Sequence, residues 1–293
     1  MTFDKARSTA YNRDKKQILT CVFGAEVMRM DEQKVRYKEY IDRLCLMDDT
    51  FFNVCMDGYI AGMACILRII LALPELIVER VTVQETTENL YGRGVRFDAF
   101  VRAGKRRMNV EVQRDERGAQ PERARFNSSM MDARELQKGE VVKELPETYV
   151  IFIMEKDVFG KGLPIYHVRR MIEETGEPFG DRTHIIYVNG EIQDETPLGR
   201  LMHDFFCQDA ETMYYEELKQ RAGFFKNEER GRVQMCKIMD EIRQAGFEHG
   251  MERDRLESLR TIMQTMKLSE EEAMNALLIP LEKRAKYKAL LAQ

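Results

Sequence analysis

Two extended runs joined by a short turn constrain the fold more than any other part of this 293-residue chain. Residues 96–102 and 107–113 are rich in Phe and Val, and the turn between them contains Gly104. A glycine-containing connection of this length is typical of a β-hairpin, so we expect the two runs to pair antiparallel. The apolar run at residues 148–154 predicts a further strand that is buried on both faces.

The other elements follow from capping, periodicity and breaker signals. A helix is expected to begin after Asp48 or Asp49, and an apolar helix over residues 60–73 should end at Pro74. The order that results is α-β-β-β-α-β-β, which indicates an α/β domain. Its remaining members are expected to be a strand at 76–84, a helix at 122–138, a strand at 183–189 and helices from residue 198 onward. The predicted organisation is a helical N-terminal extension (1–45), the α/β domain (46–225) and a helical C-terminal tail (226–293).

Composition excludes several classes of protein. Hydrophobic residues make up 44% and the net charge is -4, so the chain is neither disordered nor globally basic. The N-terminal residues are polar and lack the apolar segment of a signal peptide, and the run at 60–73 is too short to span a membrane. A cytoplasmic protein with no membrane partner is therefore expected.

Polar side chains on the hairpin are the strongest candidates for chemistry. Side chains of a strand alternate between faces, so Asn109, Glu111 and Gln113 should share one face. Antiparallel pairing can bring Asp98 close to Glu111. Two carboxylates held together repel unless one is protonated or a cation lies between them, and hard oxygen ligands favour Mg²⁺, with Mn²⁺ as a possible substitute, over zinc. Hydrolysis of a phosphodiester fits these groups.

The same residues also have a plain structural interpretation. Asp98 and Glu111 would then be solvated residues on the exposed face of an antiparallel hairpin, and Gln113 a polar residue that points outward. The acid pattern alone is too common to decide between the two interpretations.

A longer set of segments in the same order resembles the PD-(D/E)XK nuclease superfamily, in its branch of transposases or Rpn-type recombination-promoting nucleases. The resemblance covers roughly residues 46–210. The matching segments are RFDAFV at 96–101, MNVEVQ at 108–113, ERARFNSSMMD at 122–132, LQKGE at 136–140, LPETYVIFI at 145–153 and FGKGLPIY at 159–166.

The resemblance implies a restriction-endonuclease-like α-β-β-β-α-β core with a mixed sheet, in which Asp98 and Glu111 bind a catalytic Mg²⁺. Gln113 then occupies the position usually held by lysine, and as a neutral amide it can position water only by hydrogen bonds. Asp49 matches an early acidic position of the family and is the candidate third metal ligand. The implied activity is Mg²⁺-dependent DNA cleavage linked to recombination or transposition.

Local charge favours a phosphate-containing partner. Eight Lys/Arg and four Asp/Glu lie between Arg102 and Arg125, although the whole chain is acidic. This count is also compatible with a surface that is merely kept soluble. On the following helix, Arg125, Ser128, Ser129 and Asp132 are spaced as one polar stripe that could face the metal or the DNA backbone. The candidate DNA-binding residues are Arg102, Lys105, Arg106, Arg107, Arg123 and Arg125.

Two other functions stay open. The Gln113 replacement is compatible with a catalytically weak or inactive nuclease fold that binds DNA or a protein partner. Alternatively, the helical tail at 226–293 could act as an interaction element, for example in a homodimer formed through the helical extensions.

Overall fold

The computed structural model describes residues 37–89, 92–136 and 139–291. The predicted N-terminal extension therefore lies mostly outside the described residues. Its last described part, residues 37–43, is helical. The helices are α1 (Asp49–Met56), α2 (Ile60–Leu71), α3 (Pro121–Glu135), α4 (Pro197–Phe206), α5 (Glu216–Asn227), α6 (Glu229–Met266), α7 (Glu270–Ala276) and α8 (Leu281–Leu291). The strands are β1 (Arg80–Asn89), β2 (Gly92–Ala103), β3 (Arg106–Gln113), β4 (Glu147–Met154), β5 (Ile165–Val168), β6 (Met171–Ile172), β7 (Glu177–Pro178) and β8 (Thr183–Asn189).

Six strands form one mixed sheet in the order β1-β2-β3-β4-β8-β5. The first three strands are antiparallel, β3, β4 and β8 are parallel, and β5 is antiparallel to β8. Parallel neighbours need a crossover, and α3 lies in the connection from β3 to β4. The predicted hairpin and the α/β class with a mixed sheet are therefore confirmed.

Helices cover both faces of this sheet. On one face, Ala124 and Met131 of α3 form a core with Phe100, Phe152 and Tyr187. The alternate side chains of β3 and β4 point to the opposite face and are also buried, and α1 contacts β1, β2 and β3. Burial on both faces explains why β4 reads as a continuous apolar run rather than an alternating one.

Two predictions of secondary structure need correction. The strand expected at 76–84 runs instead over Arg80–Asn89, because its bounds are set by pairing with β2 rather than by its β-branched composition. Strands β5, β6 and β7 are absent from the predicted order, since they have only two to four residues each and show no readable periodicity.

The chain divides into two compact units, Met1–Val233 and Gln234–Gln293. The second unit has its own small core of Leu259, Ala273, Met274, Ile279 and Tyr287. Ser269 is the N-cap of α7 and forms the predicted capping box with Glu272.

In the described part of the chain, no single helix is long and apolar enough to cross a membrane. Helices α1 and α2 reach the required length and composition only as a pair bent by 115°.

Candidate active site

The two predicted carboxylates lie where the pairing of β2 with β3 ends. The last paired residues are Ala99 and Val110, so Asp98 and Glu111 are the next residue on each strand. The backbone on the other side of Asp98 is also irregular. Gln84 of β1 lies between two residues that pair with the neighbours of Asp98, and it has a left-handed φ of 53°. A non-glycine residue in this conformation is strained, and such strain concentrates at functional sites.

Glu111 is fully buried and its carboxylate accepts hydrogen bonds from several N–H groups. Asn109 Nδ2 and Asn127 Nδ2 each donate to Oε1 at 2.9 Å, and a guanidinium N–H of Arg123 donates to Oε2 at 2.6 Å. Gln113 Nε2 is 3.5 Å from the same Oε2. A buried carboxylate requires such partners, because desolvation is costly for an unpaired charge. The plain interpretation of Glu111 as a solvated surface residue is therefore wrong.

Asp98 is 8% exposed and faces a negative environment. Burial raises its pKa to about 7, and the charges of Glu111 and Asp49 act in the same direction. The Arg123 guanidinium and the backbone N–H of Val112 oppose this rise. Asp98 is therefore not a solvated surface carboxylate either. Among the described residues, the negative charges near Asp98 and its burial outweigh the effect of Arg123 on its pKa.

Gln113 is held at the end of β3 by the loop that follows. Its backbone oxygen accepts a hydrogen bond from Glu155 N at 3.0 Å. Gly118 lies directly against its side chain, because a Cβ added at Gly118 would be 1.9 Å from Gln113 Oε1. The loop itself is anchored by a 3.0 Å hydrogen bond from the Tyr187 hydroxyl to Ala119 O. This packing restricts where the Gln113 amide can point.

Asp49 comes to the site on a separate helix. Arg114, the residue after β3, donates to Asp48 Oδ1 at 3.0 Å and to Glu155 Oε2 at 2.7 Å, which ties the start of α1 to the ends of β3 and β4. Asp49 is thereby close enough to raise the pKa of Asp98, and it accepts a 2.5 Å hydrogen bond from Asn53. Sequence reasoning did not identify Arg114, because its partners are distant in sequence.

The site-facing stripe of α3 differs from the predicted one. Arg123 and Asn127, four residues apart, contact Glu111, whereas Arg125 and Ser129 are exposed and Ser128 is buried. The predicted stripe of Arg125, Ser128, Ser129 and Asp132 therefore does not form one face at the site. The correct stripe begins two residues earlier, a rotation of about 200° around the helix. Asn127 was missed, although its i,i+4 spacing from Arg123 is a usable signal.

The six predicted DNA-binding residues do not form one cluster. Arg102, Lys105, Arg106 and Arg107 lie at the β2–β3 turn, and Arg106 is about 17 Å from Glu111 along an extended strand. Only Arg123 contacts one of the two carboxylates. The structure pairs four of the six with carboxylates and leaves two exposed: Arg102 and Arg107 contact Glu135, Arg106 contacts Glu147, Arg123 contacts Glu111, and Lys105 and Arg125 are exposed.

The carboxylates fit an open magnesium site better than a closed one. No three His, Cys, Asp or Glu side chains of the described residues are grouped to hold an ion, so Asp49 does not form such a group with Asp98 and Glu111. Mg²⁺ commonly uses only one or two carboxylates, with waters and a substrate phosphate as the other ligands. Two further hard oxygens, Asn109 Oδ1 and Asn127 Oδ1, are buried beside Glu111 and have no hydrogen-bond partner among the described residues.

This arrangement defines a class of protein. A mixed sheet with a crossover helix, and an acidic pair at the point where two central strands separate, is a restriction-endonuclease-like α/β fold. The family model described as PD-(D/E)XK nuclease family transposase matches residues 74–195, so this segment of the chain is similar to that family. The match includes β1 through β8, with Asp98, Glu111 and Gln113, but not Asp49. Neither the curated proteins nor the solved structures give a significant match.

Proposed function

We propose that this protein is a Mg²⁺-dependent DNA endonuclease that acts in recombination or transposition. The observation that supports the proposal most strongly is the buried acidic pair, Asp98 and Glu111, within the segment matched by a nuclease family. The similarity of residues 74–195 to a transposase family supports DNA as the substrate and genome rearrangement as the setting.

Each side chain has a distinct role in the proposed reaction. Asp98 and Glu111 would hold the ion, which would polarise the scissile phosphate and stabilise charge on the leaving oxygen. Asn109 and Asn127 fix the orientation of Glu111 through its Oε1. The Gln113 amide, fixed by Gly118, orients the attacking water.

Cleavage of supercoiled plasmid in Mg²⁺ or Mn²⁺ tests this function. We expect the wild type to nick the plasmid, and Asp98→Asn and Glu111→Gln to lower the rate by at least about 100-fold, because each removes a charged ligand. Glu174→Gln, which removes an exposed carboxylate between β6 and β7, is the matched control and should cleave normally. An inactive wild type, or an Asp98→Asn variant that cleaves equally well, would contradict the proposal.

One observation favours a second candidate, a non-catalytic module that binds DNA. Arg123 already neutralises Glu111, and Gln113 adds no charge. A metal titration separates the two functions. A working site should raise the melting temperature when Mn²⁺ is added, and Glu111→Gln should abolish that rise. A wild type whose melting temperature does not respond to Mn²⁺ would favour the non-catalytic module.

A further inference from the structure

Arg123 brings a positive charge to the place where this chain has Gln113 instead of the lysine of the family motif. Its guanidinium donates to Glu111 Oε2 at 2.6 Å, the same oxygen that lies 3.5 Å from Gln113 Nε2. Its charge also lowers the pKa of Asp98, so it acts on both carboxylates. The amide at position 113 and the guanidinium from α3 therefore converge on one point of the site.

We propose that Arg123 supplies the positive charge that a lysine at position 113 would otherwise supply, and that its guanidinium binds a non-bridging oxygen of the scissile phosphate. This inference rests on the proposed nuclease function and identifies a residue that contacts the substrate.

The exposure of Arg123 supports this role. Its side chain is 38% exposed while Glu111 is fully buried, so Arg123 joins the buried carboxylate to the solvent-accessible side of the site. Among the described residues Glu111 is its only ion-pair partner. A guanidinium has five N–H donors in a planar fork that matches phosphate geometry, and donors remain for a substrate oxygen.

The division of roles follows from the chemistry of the two side chains. A guanidinium has only N–H donors and no acceptor, so Arg123 does not act as a general base. It can stabilise negative charge that develops on the phosphate, which a neutral amide does only weakly. Gln113 then has the task of orienting water, and the two residues together replace one lysine.

A purely structural role for Arg123 predicts different behaviour. In that case its only task is to neutralise buried Glu111, and its loss destabilises the fold by leaving a charge unpaired. A lysine at position 113 would then restore stability at most. Substrate contact predicts instead that such a lysine restores the rate.

The experiment compares Arg123→Gln, the double variant Arg123→Gln with Gln113→Lys, and the control Arg200→Gln. Arg200 is on α4; among the described residues its only ion pair is with the exposed Glu195, and its guanidinium lies over the Tyr214 ring. Plasmid cleavage is measured at saturating Mn²⁺, and melting temperature with and without Mn²⁺. We expect Arg123→Gln to lower the cleavage rate about 100-fold and to keep the Mn²⁺-induced rise in melting temperature. The double variant should recover at least about 10-fold, and the control should stay within about twofold of wild type.

The outcomes separate this inference from the proposed function. If the wild type cleaves and Arg123→Gln cleaves as fast, the inference fails and the proposed function stands. A lost rate that Gln113→Lys does not recover would also overturn it, because the role of Arg123 would then be structural. If the wild type cleaves no DNA in either metal, the proposed function fails and the inference fails with it.

Discussion

At the scale of single residues, Gly118 illustrates how a side chain can be positioned by the absence of another. A methyl group at Gly118 would overlap the Gln113 amide, the movable end of a flexible side chain. We therefore expect Gly118→Ala to leave the fold almost as stable and to displace Gln113. A displacement of about 1 Å can cost up to roughly 100-fold in rate.

Plasmid cleavage and the melting temperature are both measured for Gly118→Ala and for the wild type. Gly223→Ala on α5 is the control, since its new methyl group would meet only ordinary contacts at 3.8 Å and beyond. A Gly118→Ala variant with normal cleavage would show that the position of Gln113 does not matter to the reaction.

Asp98 makes the stability of the metal-free protein depend on pH. Its pKa rises from 3.8 to about 7 in the fold, so between these values the folded state binds more protons than the unfolded state. Stability from this group is therefore fully present below about pH 4 and is lost as the pH rises through about 7. We expect the melting temperature of wild type, relative to that of Asp98→Asn, to fall by several degrees from pH 4.5 to 8.

Added Mg²⁺ should reduce this fall, because metal binding favours the deprotonated carboxylate. Thermal melts of both proteins across the pH range, with and without Mg²⁺, provide the check. Parallel curves for wild type and Asp98→Asn without metal would show that Asp98 ionises as freely in the fold as in water.

At the scale of elements, the hairpin was predictable and the helix face was not. The two-residue period of strands and the short turn are local signals, and they suffice to bring Asp98 near Glu111. The buried positions of α3 include the polar Asn127, which donates a hydrogen bond to Glu111, and the polar Ser128. A stripe chosen by the polar character of its residues alone therefore selects the wrong face.

Long-range contacts explain most of the other differences between the elements predicted from the sequence and those of the structure. The bounds of β1 depend on its register with β2, and the position of Asp49 depends on Arg114, which pairs with Asp48 across 66 residues. Neither contact has a local pattern in the sequence. The nuclease prediction depends on the ordered set of segments shared with the family, because the acid pair alone is too common a pattern to support it.

At the scale of the whole molecule, the proposed chemistry belongs to one of two units. Asp98, Glu111, Gln113 and Arg123 all lie in Met1–Val233. Gln234–Gln293 has a separate core centred on Leu259 and Tyr287. Along α6, the described side chains of residues 240–248 are all exposed, so this part of the helix adds little to the core of either unit. A homodimer formed through this tail stays a prediction.

Two separate cores imply two unfolding events. We expect calorimetry of the full chain to show two transitions, the smaller one from Gln234–Gln293, because heat absorbed scales with unit size. Mn²⁺ should raise only the larger transition, since the candidate ligands lie in Met1–Val233. Tyr287→Ala, at a site 2% exposed, should lower only the smaller one. A single transition that Mn²⁺ raises and Tyr287→Ala lowers would instead show that the units unfold together and that the tail supports the site.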